Sequence, residues 1–78
     1  MLCQAVPAAS DYRVILGKEI RVQRERAGLT QEKLAERAEM HPNYFGRVER
    51  GEEYASVPML RKIAKALGVP LRVLFRGL

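Results

Sequence analysis

The sequence predicts an all-α domain of five short helices, and three observations carry that prediction. Pro42, Pro58 and Pro70 each stand where a helix can begin, and Gly51, Gly68 and Gly77 follow where each can end. Proline lacks an N–H that the first helical turn would leave unpaired anyway, and glycine accepts the left-handed backbone just past a C-terminus. Between these markers apolar residues recur at helical spacing. No segment shows the strand-like alternation with turn dipeptides that a β-hairpin requires.

The first helix is expected from about Asp11, capped by Ser10, to Ala27 before Gly28. Leu16, Ile20, the stem of Arg24 and Ala27 fall on one face. Gly17 weakens this helix by roughly 1 kcal/mol relative to alanine, which a close packing contact would explain. The second helix starts at Gln31 with Thr30 as N-cap, and Leu29 and Leu34 can form a hydrophobic staple across that start. Lys33 stands where a capping box would have Glu, so the reciprocal bond is not expected. A short turn, Glu39-Met40-His41, leads to a third helix from Pro42 to Arg50. Ser56 caps a fourth helix with a buried stripe of Leu60, Ile63, Ala64 and Leu67, and a final short helix covers Pro70 to about Phe75.

Seventy-eight residues make one domain, with a core too small to enclose a substrate cavity. Residues 1–9 are expected to form a flexible tail and residues 10–78 the folded domain. The hydrophobic share of 47% separates the chain from disordered sequences. The formal charge of +5 suits a polyanionic partner, although many basic proteins bind nothing acidic. Cys3 is the single cysteine and His41 the single histidine, so neither an intramolecular disulfide nor a zinc set is expected. No apolar run reaches membrane-spanning length. Residues 1–9 have no basic n-region, so a signal peptide is not expected and a cytoplasmic location is. Neither an acid–base pair in a pocket, a nucleophile beside a base nor a phosphate-cradling glycine loop is legible, so enzyme activity, a cofactor and a small-molecule ligand are not expected.

The most informative stretch runs from Leu29 to Gly51. Two helices cross closely only where the residue at the crossing is small, and Ala35 is that residue. Leu34, Ala38, Met40, Phe45 and Val48 supply the apolar contacts. An ordinary helical hairpin would explain these positions equally well. It would not explain so short a connection followed by a helix whose outer face is Asn43, Tyr44, Gly46, Arg47 and Arg50. Presented outward, such a helix suits the major groove of DNA.

The chain resembles the lambda-repressor-like helix-turn-helix family (Cro/CI or XRE type). The matching strings are Leu16-Gly17-Lys18-Glu19-Ile20-Arg21, Gly28-Leu29-Thr30-Gln31-Glu32-Lys33-Leu34-Ala35, Val48-Glu49-Arg50-Gly51 and Lys62-Ile63-Ala64-Lys65-Ala66-Leu67-Gly68-Val69. A helix-turn-helix alone is a loose pattern; these blocks in order are far more specific. There are departures. Glu39 stands where most members have Gly in the turn, which implies a left-handed non-glycine residue costing about 1 kcal/mol. Gln23 occupies a position that is commonly Leu. Glu52 and Glu53 lie in a loop that often carries basic phosphate contacts, and these acids would repel the DNA backbone.

The residues themselves suggest roles that the resemblance extends. Gln31 opens a helix whose unpaired N–H groups and dipole favour phosphate, and in the family this glutamine contacts the backbone and braces the recognition helix. Thr30 is most simply a cap, with a phosphate contact second. Asn43 and Arg47 share one face of the third helix and suit an adenine and a guanine edge; the resemblance aligns both with base-reading positions. Tyr44 is open between a rim contact to sugar, methyl or phosphate and a half-buried structural role. His41 and Pro42 approach the groove at the helix start, where His41 can equally be a neutral cap. Gly46 would let the backbone near the duplex or relieve crowding. The resemblance makes Arg50 a phosphate contact and pairs Glu49 internally with Arg24.

The expected partner is double-stranded DNA, bound as a homodimer on a near-palindromic operator with recognition helices about 34 Å apart. Val73 stands where relatives usually carry charge and with Leu78 forms an exposed apolar patch; Val73, Leu74 and Leu78 are the expected dimer contact. Phage-type repressors, restriction–modification controllers and antitoxins share this compact layout, and controllers match it well in length. The alternative function is an antitoxin or other protein-interaction module that uses the same fold to hold a protein partner.

Overall fold

A computed structural model describes residues 11–78. The expected tail and the Ser10 cap lie outside the described residues. The helices are α1 (Tyr12–Arg26), α2 (Gln31–Arg37), α3 (Pro42–Glu49) and α4 (Val57–Leu67), followed by a 3₁₀ turn, Leu71–Phe75. The described residues contain no strand. The all-α class holds, whereas the fifth helix is a 3₁₀ turn. Pro70 ahead of it has no side-chain cap, and five residues are too few to propagate an α-helix.

Caps explain where each helix starts. Asp11 caps α1: its Oδ1 accepts from the Arg13 backbone N–H at 2.9 Å, and its carboxylate also accepts from the Arg13 guanidinium at 2.8 Å. Those bonds, the side-chain one first, hold the Asp11 carboxyl below the usual carboxylate range. Thr30 Oγ1 accepts from Lys33 N at 3.0 Å and Ser56 Oγ from Met59 N at 3.3 Å. Both caps stand where the sequence puts them. His41 caps α3, its Nδ1 accepting from Asn43 N at 3.1 Å, with Pro42 in the first helical turn.

The core gathers Leu16 and Ile20 from α1, Leu34, Ala35 and Ala38 from α2, Phe45 and Val48 from α3, and Leu60, Ile63 and Ala64 from α4, with Met40 and Leu74. Two expectations about the core's edge are corrected. Ala27 is exposed, because it is the C-cap of α1 and points away once the helix ends. Val73 is buried (7% exposed) and Leu74 completely so; the tight 3₁₀ turn rolls both inward where it packs on α1 and α4. Of the three residues expected at a dimer contact, only Leu78 is exposed. Gly77 does not adopt a left-handed backbone; it lies against Ile15, where a Cβ would collide with the Ile15 side chain.

Two backbone positions carry the geometry of the helix-turn-helix. At Gly17 a Cβ would fall 2.8 Å from the Val48 carbonyl oxygen and closer still to that of Glu49. The missing side chain is what lets α1 cross the end of α3. In the turn, Glu39 has φ 59°, the left-handed conformation inferred from its sequence position, and the Met40 N–H closes the turn onto the Ala35 carbonyl at 2.8 Å. The Glu39–Lys62 ion pair at 3.7 Å is exposed and contributes little.

These positions give opposite predictions for small changes. Gly17→Ala gains about 1 kcal/mol of helix propensity. The unyielding carbonyls should outweigh that gain and lower net stability by about 1–3 kcal/mol, read by chemical denaturation. Glu39→Gly removes the left-handed strain and should raise stability by about 1 kcal/mol, a melting temperature increase of roughly 4 °C.

Candidate nucleic-acid interface

The interface is built on α3, whose two faces differ. Phe45, Val48 and Glu49 point inward, whereas Asn43, Arg47 and Arg50 are exposed. Asn43 and Arg47 are one helical turn apart and so lie one above the other. With Gln31, Pro42 and Gly46, these three exposed residues line a shallow polar depression. An adjoining depression joins the start of α2, through Thr30, Gln31 and Glu32, to Pro42 and Asn43. The sequence-predicted residues Thr30, Gln31, Pro42, Asn43, Arg47 and Arg50 therefore come together on one surface.

Behind that surface lies a buried polar network. Glu49 is 3% exposed at its side chain, and Arg24 is 13% exposed. Arg24 Nε donates to Glu49 Oε2 at 2.7 Å and Nη2 to Oε1 at 3.2 Å, while Nη1 donates to the Leu29 carbonyl at 2.8 Å. Gln31 Nε2 donates to Glu49 Oε1 at 2.6 Å. A carboxylate on α3 thus holds α1 and α2, and Arg24 holds the turn between them. The Arg24–Glu49 pair has the partners that the resemblance implies, and Gln31 braces α3 through the same acid. Among the described residues no buried side-chain polar atom lacks a partner.

Gly46 is buried, and a Cβ there would meet Arg50 Nη1 at 3.1 Å and Gln31 Oε1 at 3.7 Å. Its small size lets the Arg50 side chain lie across the floor of the depression, the crowding role rather than any strain in the helix. Tyr44 is half-buried against the core and its hydroxyl donates to the Tyr54 carbonyl, which ties α3 to the loop after it. Of the two roles open for Tyr44, this is the structural one. Gln23 is buried and satisfied by Glu19, to whose Oε2 it donates at 2.8 Å.

Two features escape sequence reasoning. Arg47 and Arg50 are paired with loop acids: Arg47 Nε lies 3.8 Å from Glu53 Oε2, and Arg50 Nε 3.2 Å from Glu52 Oε2. No helical spacing relates a residue on α3 to one beyond its end, so only the loop path reveals these pairs. Arg13 lies 4.3 Å from the Tyr54 ring centroid, and Tyr12 packs beside Tyr54 at 5.7 Å, fastening the start of α1 to that loop. The described residues contain no His, Cys, Asp and Glu grouping able to hold a metal and no helix long and apolar enough to cross a membrane.

Glu49→Ala would leave Arg24 and Gln31 without their acceptor. The expected loss is about 3–5 kcal/mol, visible as a large fall in melting temperature.

Comparison with known proteins agrees with this architecture. A family described as "Helix-turn-helix domain" matches residues 15–76. The control protein C.BamHI of Bacillus amyloliquefaciens is 34% identical over 61 residues, 77% of this chain and 75% of that protein. The control protein C.SmaI of Serratia marcescens is 39% identical over 70 residues, 87% of this chain and 83% of that one. The crystal structure of the restriction-modification controller protein C.AhdI from Aeromonas hydrophila superposes with a TM-score of 0.81 at 38% identity, covering 82% of this chain and 97% of that chain. With a polar-faced α3 held across α2 by a turn at Glu39 and a family match over most of its length, the chain belongs to the helix-turn-helix domain family, in its XRE-type branch.

Proposed function

We propose that the chain is a sequence-specific DNA-binding transcriptional regulator of the controller type, which binds a near-palindromic operator as a homodimer with α3 in the major groove. The observation that carries this reading is the outward face of α3: Asn43 and Arg47, with Arg50 at the C-cap, stand beside Gln31 on a helix whose opposite side is core. Within the molecule Arg47 and Arg50 meet only exposed loop acids, pairs that contribute little to stability. Arg47 and Asn43 have the donor patterns that suit guanine and adenine edges. The start of α2 presents backbone N–H groups to phosphate.

Controller proteins of comparable length among the relatives support the regulator class. One such helix covers only a few base pairs, so discrimination calls for two copies on related half-sites. The dimer contact is proposed at the C-terminal end, where Leu78 is exposed.

Selection of binding sites from random duplexes, together with the protein's mass in solution, tests class and assembly at once. The expected result is an enriched two-fold sequence bound by a dimer; enrichment of no sequence would remove the reading. Replacement of the arginines separates base from backbone contacts. Arg47→Ala should cost about 1–3 kcal/mol and relax discrimination at one position. Arg50→Ala should weaken binding to every sequence and reduce the salt slope by about one. Titrations of matched and single-mismatch duplexes at several salt concentrations read both.

A further inference from the structure

Helix α1 carries two cations outside the interface described on α3. Lys18 and Arg21, with Val14, fall at i, i+4 and i+7 and so share one stripe of the helix. Both cations are exposed. Lys18 makes no ion pair among the described residues. Arg21 has only Glu25, one turn along the same helix, at 3.3 Å in open solvent. With Arg24, Gln31, Glu49 and Arg50, these cations line one depression between α1 and the end of α3. Glu49 is the one carboxylate in that lining, and Arg24 and Gln31 already occupy it. The depression is therefore open and positive.

This depression continues the polar surface of α3. Gln31 and Arg50 line both, and Arg24 and Gln31 link it to the start of α2. A strand that meets the start of α2 and Arg50 therefore passes along it. The major groove, roughly 12 Å wide, holds one helix, and helices in contact lie about 8–10 Å apart. With α3 in the groove, cations of α1 that open onto the same surface stand over the groove's rim, where the phosphates are. Gly17 sets this approach, because its missing side chain lets α1 reach the end of α3, and Lys18 is the next residue.

We infer that Lys18 and Arg21 form, beside Arg50, a phosphate-binding site on α1 that grips the strand bordering the groove occupied by α3. This rests on the DNA-binding reading above. A contact to the strand itself carries no sequence information, so the site adds the same affinity on an operator and on unrelated DNA.

Lys18→Gln, and Lys18→Gln combined with Arg21→Gln, remove charge from exposed positions and should leave the melting temperature unchanged. Affinities of both variants and of the unaltered protein are measured across a salt series, on the selected operator and on an unrelated duplex of equal length. The slope of log affinity against log salt should become shallower by about 0.9 in the single variant and about 1.8 in the double one, equally on both duplexes. Low-salt affinity should fall about threefold per residue, and the ratio of operator to unrelated affinity should hold. Lys65→Gln takes one charge from a groove on α4 that shares no lining residue with these depressions, and it should leave both slopes where they are. An unaltered slope in either α1 variant, a change confined to one duplex, or an equal change from Lys65→Gln would overturn the inference. If the unaltered protein enriches an operator and the α1 variants keep its salt slope, this inference alone fails. If the unaltered protein enriches no sequence, the DNA-binding reading fails and this inference with it.

Discussion

The carboxylate of Glu49 is the point on which the arrangement of α1, α2 and α3 depends. Helices α2 and α3 have 7 and 8 residues, well short of the roughly 12–15 that an isolated helix needs to persist in water. Neither they nor the angle between them can come from local propensity. Apolar contacts around Phe45, Leu34 and Ala35 supply most of the burial, but such contacts are non-directional. Direction comes from Glu49, which accepts from Arg24 on α1 and Gln31 on α2 at fixed angles. The Arg24 bond to the Leu29 carbonyl extends the constraint to the turn between those helices. Gly17 is the steric counterpart, since α1 could not approach the end of α3 with any side chain there.

That constraint gives α3 its division of labour. With Glu49 and Val48 fixed inward, helical geometry leaves Asn43, Arg47 and Arg50 facing out. Gln31 serves both sides, its amide nitrogen bonded to the buried acid while its side chain edges the polar depression. A residue that braces the helix therefore also shapes that polar surface. The charge there is balanced rather than simply basic, because acids of the following loop sit against both arginines. The overall charge of +5 says little about this face; placement of individual charges decides what it can hold.

Much of this was legible in the sequence, for physical reasons. Thr30 and Ser56 announce their helices because a side-chain oxygen there has a backbone N–H within reach whatever the tertiary fold. Glu39 was readable as left-handed because the family places glycine at that turn. Start and stop signals sufficed for α1 through α4. They failed beyond Pro70, where a proline start without a capping side chain leads into too few residues for an α-helix. Val73 was misplaced because the resemblance puts a charged residue at that position, whereas here the 3₁₀ turn buries it. The Arg47–Glu53 pair was invisible because it depends on the path of an irregular loop.

The most direct test of the central claim is a double-mutant cycle on Arg24→Met and Glu49→Met, read by chemical denaturation. If the buried carboxylate is the shared acceptor that orients the helices, each single substitution leaves a polar group stranded and the double substitution strands fewer. The energies should then depart from additivity by about 2 kcal/mol or more. Additivity within about 0.5 kcal/mol would contradict the account, because the two groups would then be neighbours without being coupled.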